Sequence, residues 1–300
     1  MARKAWLALI AAVLLPAAAT AQSAPEQVTI RTEKVADGVY ALFGRGGNMG
    51  LSIGADGVFL IDDEYAPLTP AINAAIAKLD PRPVKFVLNT HWHPDHTGGN
   101  ANYAAAGAVL ISQDRVRERL STPQDMPFLG RKEPASPPAA LPMLTFDHAL
   151  TLHFNGDEIV ATHEPHAHTD GDSVVVFHKA NVIHAGDVFW NGMYPFIDVD
   201  SGGSLDGELA AVDRILAECD DHTRIIPGHG PLGNKADLQA FRRMLADTIT
   251  RVRTLRAQGK TVDEVIAMAP NADYDKDFAT KWMSGERYIR MLYRAMDLEK

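Results

Sequence analysis

The sequence has one cysteine, Cys219, in 300 residues, so no disulfide can form within a chain. Cys219 closes the series Leu205, Leu209, Val212, Leu216, whose 0, 4, 7, 11 spacing predicts a helix with one apolar face. It is therefore read as a small packing residue near a helix end and a poor metal ligand. No run rich in lysine or arginine appears, and the net charge is −9, which argues against a nucleic-acid partner. Long apolar runs are missing too. The most apolar stretch, residues 5–15, is too short to span a bilayer. No internal repeat and no break in composition marks a second domain.

What is present at the start is a leader. Arg3 and Lys4 precede that apolar run, and Ala19-Thr20-Ala21 offers a small-residue cleavage site before Gln22. Residues 1–21 read as a secretory signal peptide, which implies a periplasmic or secreted protein with no stable membrane insertion after cleavage. No cysteine sits beside the site, so lipid attachment has no support. The remaining 22–300 read as one domain with an ordinary globular composition, 46% hydrophobic.

Short alternating runs from 28 to about 62 are broken by Asp-Gly pairs at 37–38 and 56–57, a hairpin pattern. A helix is expected over about 68–79, then a buried strand in VKFVLNT. The proline-rich stretch 121–144 reads as a loop of the kind that serves as a lid or binding segment. Strands are expected at 149–154, 158–162, 173–177 and 182–185, and helices near 204–219, 234–258 and 276–298. Two sets of strands, each followed by helices, imply sheets packed together with helices outside.

Directly after VKFVLNT comes HWHPDHTGG, with His91, His93, Asp95 and His96 inside six positions. Residues two apart share a face only when the chain is extended. Pro94 disfavours helix at His93, so His91 and His93 can converge on one ion from a strand end. Asp95 and His96 lie past the proline, where the chain turns, and can face a second ion. Imidazole and carboxylate suit Zn2+. Further candidates follow other predicted strands: His163, His166 and His168 in THEPHAHTDGD, Asp187 in VIHAGD and His229 in IIPGHG. Ligands at several strand ends concentrate a site along one edge.

HxHxDH at 91–96, HTDGD at 168–172, GD at 186–187 and PGHG at 227–230 together resemble the metallo-β-lactamase superfamily. The resemblance implies an α/β fold, an αβ/βα four-layer sandwich, with two Zn2+ ions per chain. It implies His91, His93 and His168 on one ion, Asp95, His96 and His229 on the other, and Asp187 bridging. Asp95 is also the expected catalytic residue, orienting the nucleophile and helping to carry a proton. Asp62, in FLIDDEY, matches the aspartate that orients a ligand, with Asp63 as its competitor.

The best-known β-lactamase branch carries cysteine where this chain has Asp187, and a substrate-binding lysine where it has Trp190. The first expectation is therefore a secreted dinuclear zinc hydrolase, using a metal-bridging hydroxide on a small-molecule ester, lactone, thioester or amide carbonyl. Periplasmic β-lactam hydrolysis is the alternative, and metal binding without turnover is an alternative of another class. The glycine-rich turn 44–50 and the loop 191–204, with Tyr194 and Phe196, are candidate substrate contacts. No basic cluster for polyphosphate is visible near them.

Overall fold

The structure, a computed structural model, describes residues 28–298; the expected signal peptide lies outside the described residues. Seven strands form the first sheet, in the order Arg31–Ala36, Val39–Phe43, Met49–Gly54, Gly57–Ile61, Val84–Asn89, Val109–Gln113 and Leu144–Phe146. Its first four strands are an antiparallel meander, and the rest pair in parallel. Six strands form the second, in the order Ala149–Phe154, Asp157–Glu164, Asp172–Phe177, Val182–Trp190, Arg224–His229 and Gly233–Asn234.

The layers follow from alternation along the buried strands, since successive side chains point to opposite faces. Phe59, Ile61 and Leu88 meet Ile159, Val175, Phe177 and Ile226 between the sheets. Their neighbours Val58, Leu60 and Val87 point outward, onto Ile72 and Ile76 of the helix Thr69–Ala77. On the other side, Ile183 and Ile225 pack against Val212, Phe241 and Leu292 of the helices Leu205–Glu218, Lys235–Ala257 and Gly285–Leu298. This is the four-layer α/β sandwich implied by the resemblance. It also explains why the central strands are continuous apolar runs: both of their faces are covered. Among the described residues no helix is long and apolar enough to cross a membrane.

Three local expectations are corrected. The helix expected over 276–298 is broken: Ala272–Phe278 ends, and Gly285–Leu298 begins afresh. The Thr280 hydroxyl accepts the Met283 backbone N–H within the break, a local alternative to helix, and the Ser284 hydroxyl caps the new helix by accepting the Arg287 N–H. The break swings Thr280 and Trp282 to a cavity at the sheet edge. The strand at 182 runs on through Asp187 to Trp190, with register shifts around Gly186, whose φ is 51°. Within 121–144, Gln124–Met126 and Arg131–Glu133 pair as a two-stranded ribbon.

Phe177 is fully buried between the sheets. Phe177→Ala is expected to cost about 3–5 kcal/mol, read as a lower denaturation midpoint at unchanged slope. A loss below about 1 kcal/mol would contradict this placement of the core.

Candidate metal centre

The strand Val84–Asn89 delivers the histidine-rich segment to the edge. His93 is extended (φ −60°, ψ 146°), as a residue before proline should be, and Pro94–Thr97 forms one helical turn. That turn is fixed by backbone bonds from His96 and Thr97 to the His93 carbonyl, 3.0 and 3.1 Å. The segment leans on the corner Asp62-Asp63-Glu64, where Asp62 and Glu64 hold left-handed φ values of 60° and 59°. Such backbone strain in non-glycine residues persists only where surrounding structure over-determines it. Asp62 shows what does so: its carboxylate accepts from the Thr90 amide (2.7 Å), the Thr90 hydroxyl (2.8 Å) and His96 Nδ1 (2.7 Å). Gly99 permits the close approach, because a Cβ there would stand 2.7 Å from the Asp63 carbonyl oxygen. Gly47, in the glycine-rich turn, lies against the His96 ring, with no room for a side chain.

Two groups of potential ligands result: His91, His93, His168 and Asp187 in one, and Asp95, His96 and His229 in the other. His91 Nε2 lies 3.1 Å from His93 Nδ1, and His168 Nε2 lies 3.0 Å from the same atom. The opposite ring nitrogens show how these atoms are presented. His91 Nδ1 donates to Thr90 Oγ1 (3.1 Å), whose own proton goes to Asp62. His93 Nε2 donates to Asp198 Oδ2 (3.0 Å), His168 Nδ1 to the Phe196 carbonyl (2.6 Å), and His96 Nδ1 to Asp62. For His91, His93 and His168 the bond settles a tautomer and leaves the inward nitrogen with a lone pair. Lone pairs this close repel one another unless a cation sits among them. His96 Nε2 and Asp187 Oδ1 are buried without hydrogen-bond partners, 3.1 Å apart. Nitrogen and carboxylate donors with orphaned inward atoms fit divalent metal.

Charge in the site divides along the same line. Burial holds His91 well below the usual imidazole value and takes His168 down to about 4, so both present neutral nitrogens at pH 7. Burial also opposes charge on His96 and His229, but the carboxylates Asp187 and Asp95, with Asp62 beside His96, outweigh it and raise both. Burial would raise Asp187, yet His229, His96 and His91 together hold it well below the carboxylate range.

Asp62, not Asp63, touches a histidine; Asp63 accepts the Gly99 amide, 2.8 Å. His163 and His166 belong to neither group and bond the carbonyls of Asp170 and Gly202, both at 2.9 Å. His184 is buried in its strand, with Nδ1 accepting from the Gly186 amide at 3.3 Å. Tyr194 is no substrate contact: it is fully buried, stacked on Tyr288 at 4.2 Å, with its hydroxyl donating to Asp275. Asp198 is the residue that sequence reasoning missed. Its only signal was an acid in the loop after the Asp187 strand, and Asp200 competed equally; Asp200 instead pairs with Arg294 at 2.6 Å. The cavity beside the groups measures about 530 Å³ and reaches Asp95, Asp187, His229, Trp190 and Phe196. It also gathers Arg45, Arg131 and Arg287, a basic cluster invisible in sequence because its members lie far apart along the chain.

Residues 43–229 match the family model of the metallo-beta-lactamase superfamily. The chain belongs to that superfamily and is one of its metal-dependent hydrolases. Among solved structures, a metallo-beta-lactamase from Pontibacter korlensis is similar with a TM-score of 0.61 at 17% identity, over 73% of this chain and 100% of its own. DIM-1 metallo-beta-lactamase is similar with a TM-score of 0.58 at 19% identity, over 73% of this chain and 99% of its own. DIM-1 exposed to ceftazidime gives 0.58 at 20% identity, over 74% and 99%. These likenesses show the fold.

Asp198→Ala is expected to lower metal affinity by about 10–100-fold in chelator competition, and Asp198→Asn by less. Unchanged affinity would remove Asp198 from the site. A pH dependence follows from the charge pattern. Because His96 and His229 are raised, each holds its proton until above its ordinary value, and a metal must displace it. Affinity at the Asp95–His96–His229 group should therefore fall as pH falls, by up to about tenfold per unit for each proton displaced. Chelator competition at about pH 8 and about pH 6 should show one ion weakening steeply and the other little. Equal weakening of both would contradict the division.

Proposed function

We propose that this chain is a secreted dinuclear zinc hydrolase that cleaves a small-molecule ester, lactone, thioester or amide at its carbonyl. The observation that carries the reading is the position of Asp187. Its Oδ2 lies 3.5 Å from His168 Nε2, 3.7 Å from His91 Nε2 and 3.4 Å from His229 Nε2, while Oδ1 faces His96 Nε2. One carboxylate thus stands between both groups, which supports a bridging role. His91, His93 and His168 would hold one ion, Asp95, His96 and His229 the other.

Two zinc ions bound there supply Lewis acidity and lower the pKa of water from 15.7 towards about 7. The chain's own residues do the rest. Asp95 is part-exposed to the cavity, with Oδ2 3.5 Å from His229 Nε2. A carboxylate has a second oxygen, and in Asp95 that atom orients the attacking water and carries its proton towards the leaving group. Trp190 and Phe196 give the cavity an apolar wall. The leader features at residues 1–21 support export to the periplasm or beyond.

The lactamase titles of the similar structures describe those proteins. Asp187, and Trp190 stacked on His229 at 4.1 Å, support a wider carbonyl hydrolase over a cysteine-bearing lactamase. Purified mature protein should carry close to two zinc ions per chain; one ion, or iron alone, would overturn the dizinc reading. Asp187→Ala should release metal and lower kcat/KM by about 1000-fold, roughly 4 kcal/mol. Intact activity would sink the bridging role. A panel of a chromogenic cephalosporin, lactones, thioesters and phosphodiesters separates the substrate readings. No turnover of any of them at full metal loading would favour binding alone.

A further inference from the structure

Two arms of stacked groups run out from the metal site, and Phe196, Trp190 and Trp282 among them line the cavity. On one side Phe196 stacks with His93 at 6.1 Å, and Phe128 with Phe196 at 5.7 Å. On the other, Trp190 lies on His229 at 4.1 Å, and Trp282 on Trp190 at 5.2 Å. The Arg287 guanidinium joins the two arms, 5.4 Å from the ring centres of both Phe128 and Trp282. Its Nη1 donates to the Trp282 carbonyl at 2.8 Å.

Among the described residues Arg287 has no carboxylate partner. Its neighbours along the same helix, Arg290 and Arg294, are paired with Asp263 and Asp200. Arg287 is thus a cation held in place by two aromatic faces and one neutral carbonyl, with further N–H donors of its planar fork left over. Among the described residues the Arg45 side chain, which also lines the cavity, has no carboxylate partner, its backbone N–H alone bonding Glu64 at 2.7 Å, whereas Arg131 is engaged by Glu133 at 2.5 Å. The cavity also holds Asp95 and Asp187 of the two ligand groups, so Arg287 and Arg45 are its guanidinium groups that no carboxylate engages among the described residues. Arg287 lies beyond residues 43–229, the part matched by the family model.

We propose that Arg287 anchors a substrate carboxylate, so that the preferred substrate is a carbonyl compound with an apolar body and a free acid group. This rests on the hydrolase reading above and narrows its substrate class. A planar fork on an apolar wall matches a carboxylate bidentately, and the stacked rings receive the apolar body.

The test uses metal-loaded protein and tryptophan fluorescence, since Trp190 and Trp282 line the cavity. Phenylacetate should bind at least about tenfold tighter than phenylacetamide. Arg287→Met should abolish that preference and Arg287→Lys should keep part of it. A preference that survives Arg287→Met, or none in the wild type, overturns the proposal. In turnover of an ester and its partner differing only as acid and carboxamide, Arg287→Met should raise KM for the acid by about tenfold or more, with kcat little changed and the amide unaffected. Equal losses on both would mark Arg287 as a packing residue and overturn the anchor. If the wild type turns over no substrate while the fluorescence preference holds, the hydrolase reading fails and the anchor stands.

Discussion

A carboxylate without a proton, buried among imidazoles, is the constraint around which the rest of this molecule is arranged. Asp187 is 3% exposed, yet the histidines beside it, His229 and His96 foremost, keep it ionised. Taking such a charge out of water is costly unless opposite charge and directed donors surround it. The inward nitrogens of His91, His93 and His168 add the complementary problem of lone pairs with nothing to share. Divalent metal resolves both at once, and in its absence the raised affinities of His96 and His229 for protons supply part of the missing positive charge.

Holding that arrangement falls to a shell of acceptors drawn from distant parts of the chain. Asp62 fixes His96 and, through Thr90, His91; Asp198 fixes His93; the Phe196 carbonyl fixes His168. The two sheets make this possible by ending their strands at one edge, where the strained corner at Asp62 and the strand overrun past Gly186 re-aim the chain. The apolar layers between and outside the sheets keep those ends from moving relative to one another.

The sequence makes legible whatever is local. The extended His91-x-His93 before proline, the hairpins at Asp-Gly pairs and the continuous apolar strands are all set within a few residues of themselves. The candidate ligands at 168, 187 and 229 were legible through the superfamily resemblance, and the fold brings them together with those at 91–96. What was not legible depends on tertiary contact. Asp198 and Asp200 look alike until one meets His93 and the other Arg294. Tyr194 resembles a substrate contact until it is stacked on Tyr288. The helix break at 279–284 turns on a Thr280 hydroxyl bond within the break and a Ser284 cap on the next helix, a choice helical periodicity does not record, and it places Trp282 and Arg287 on the cavity.

The central claim is that one buried aspartate joins two metal positions. Anomalous diffraction at the zinc edge, from crystals of metal-loaded protein, tests it most directly. Two peaks are expected, one among His91, His93 and His168 and one among Asp95, His96 and His229, with the Asp187 carboxylate touching both. A single peak, or two peaks of which only one is touched by Asp187, would contradict it.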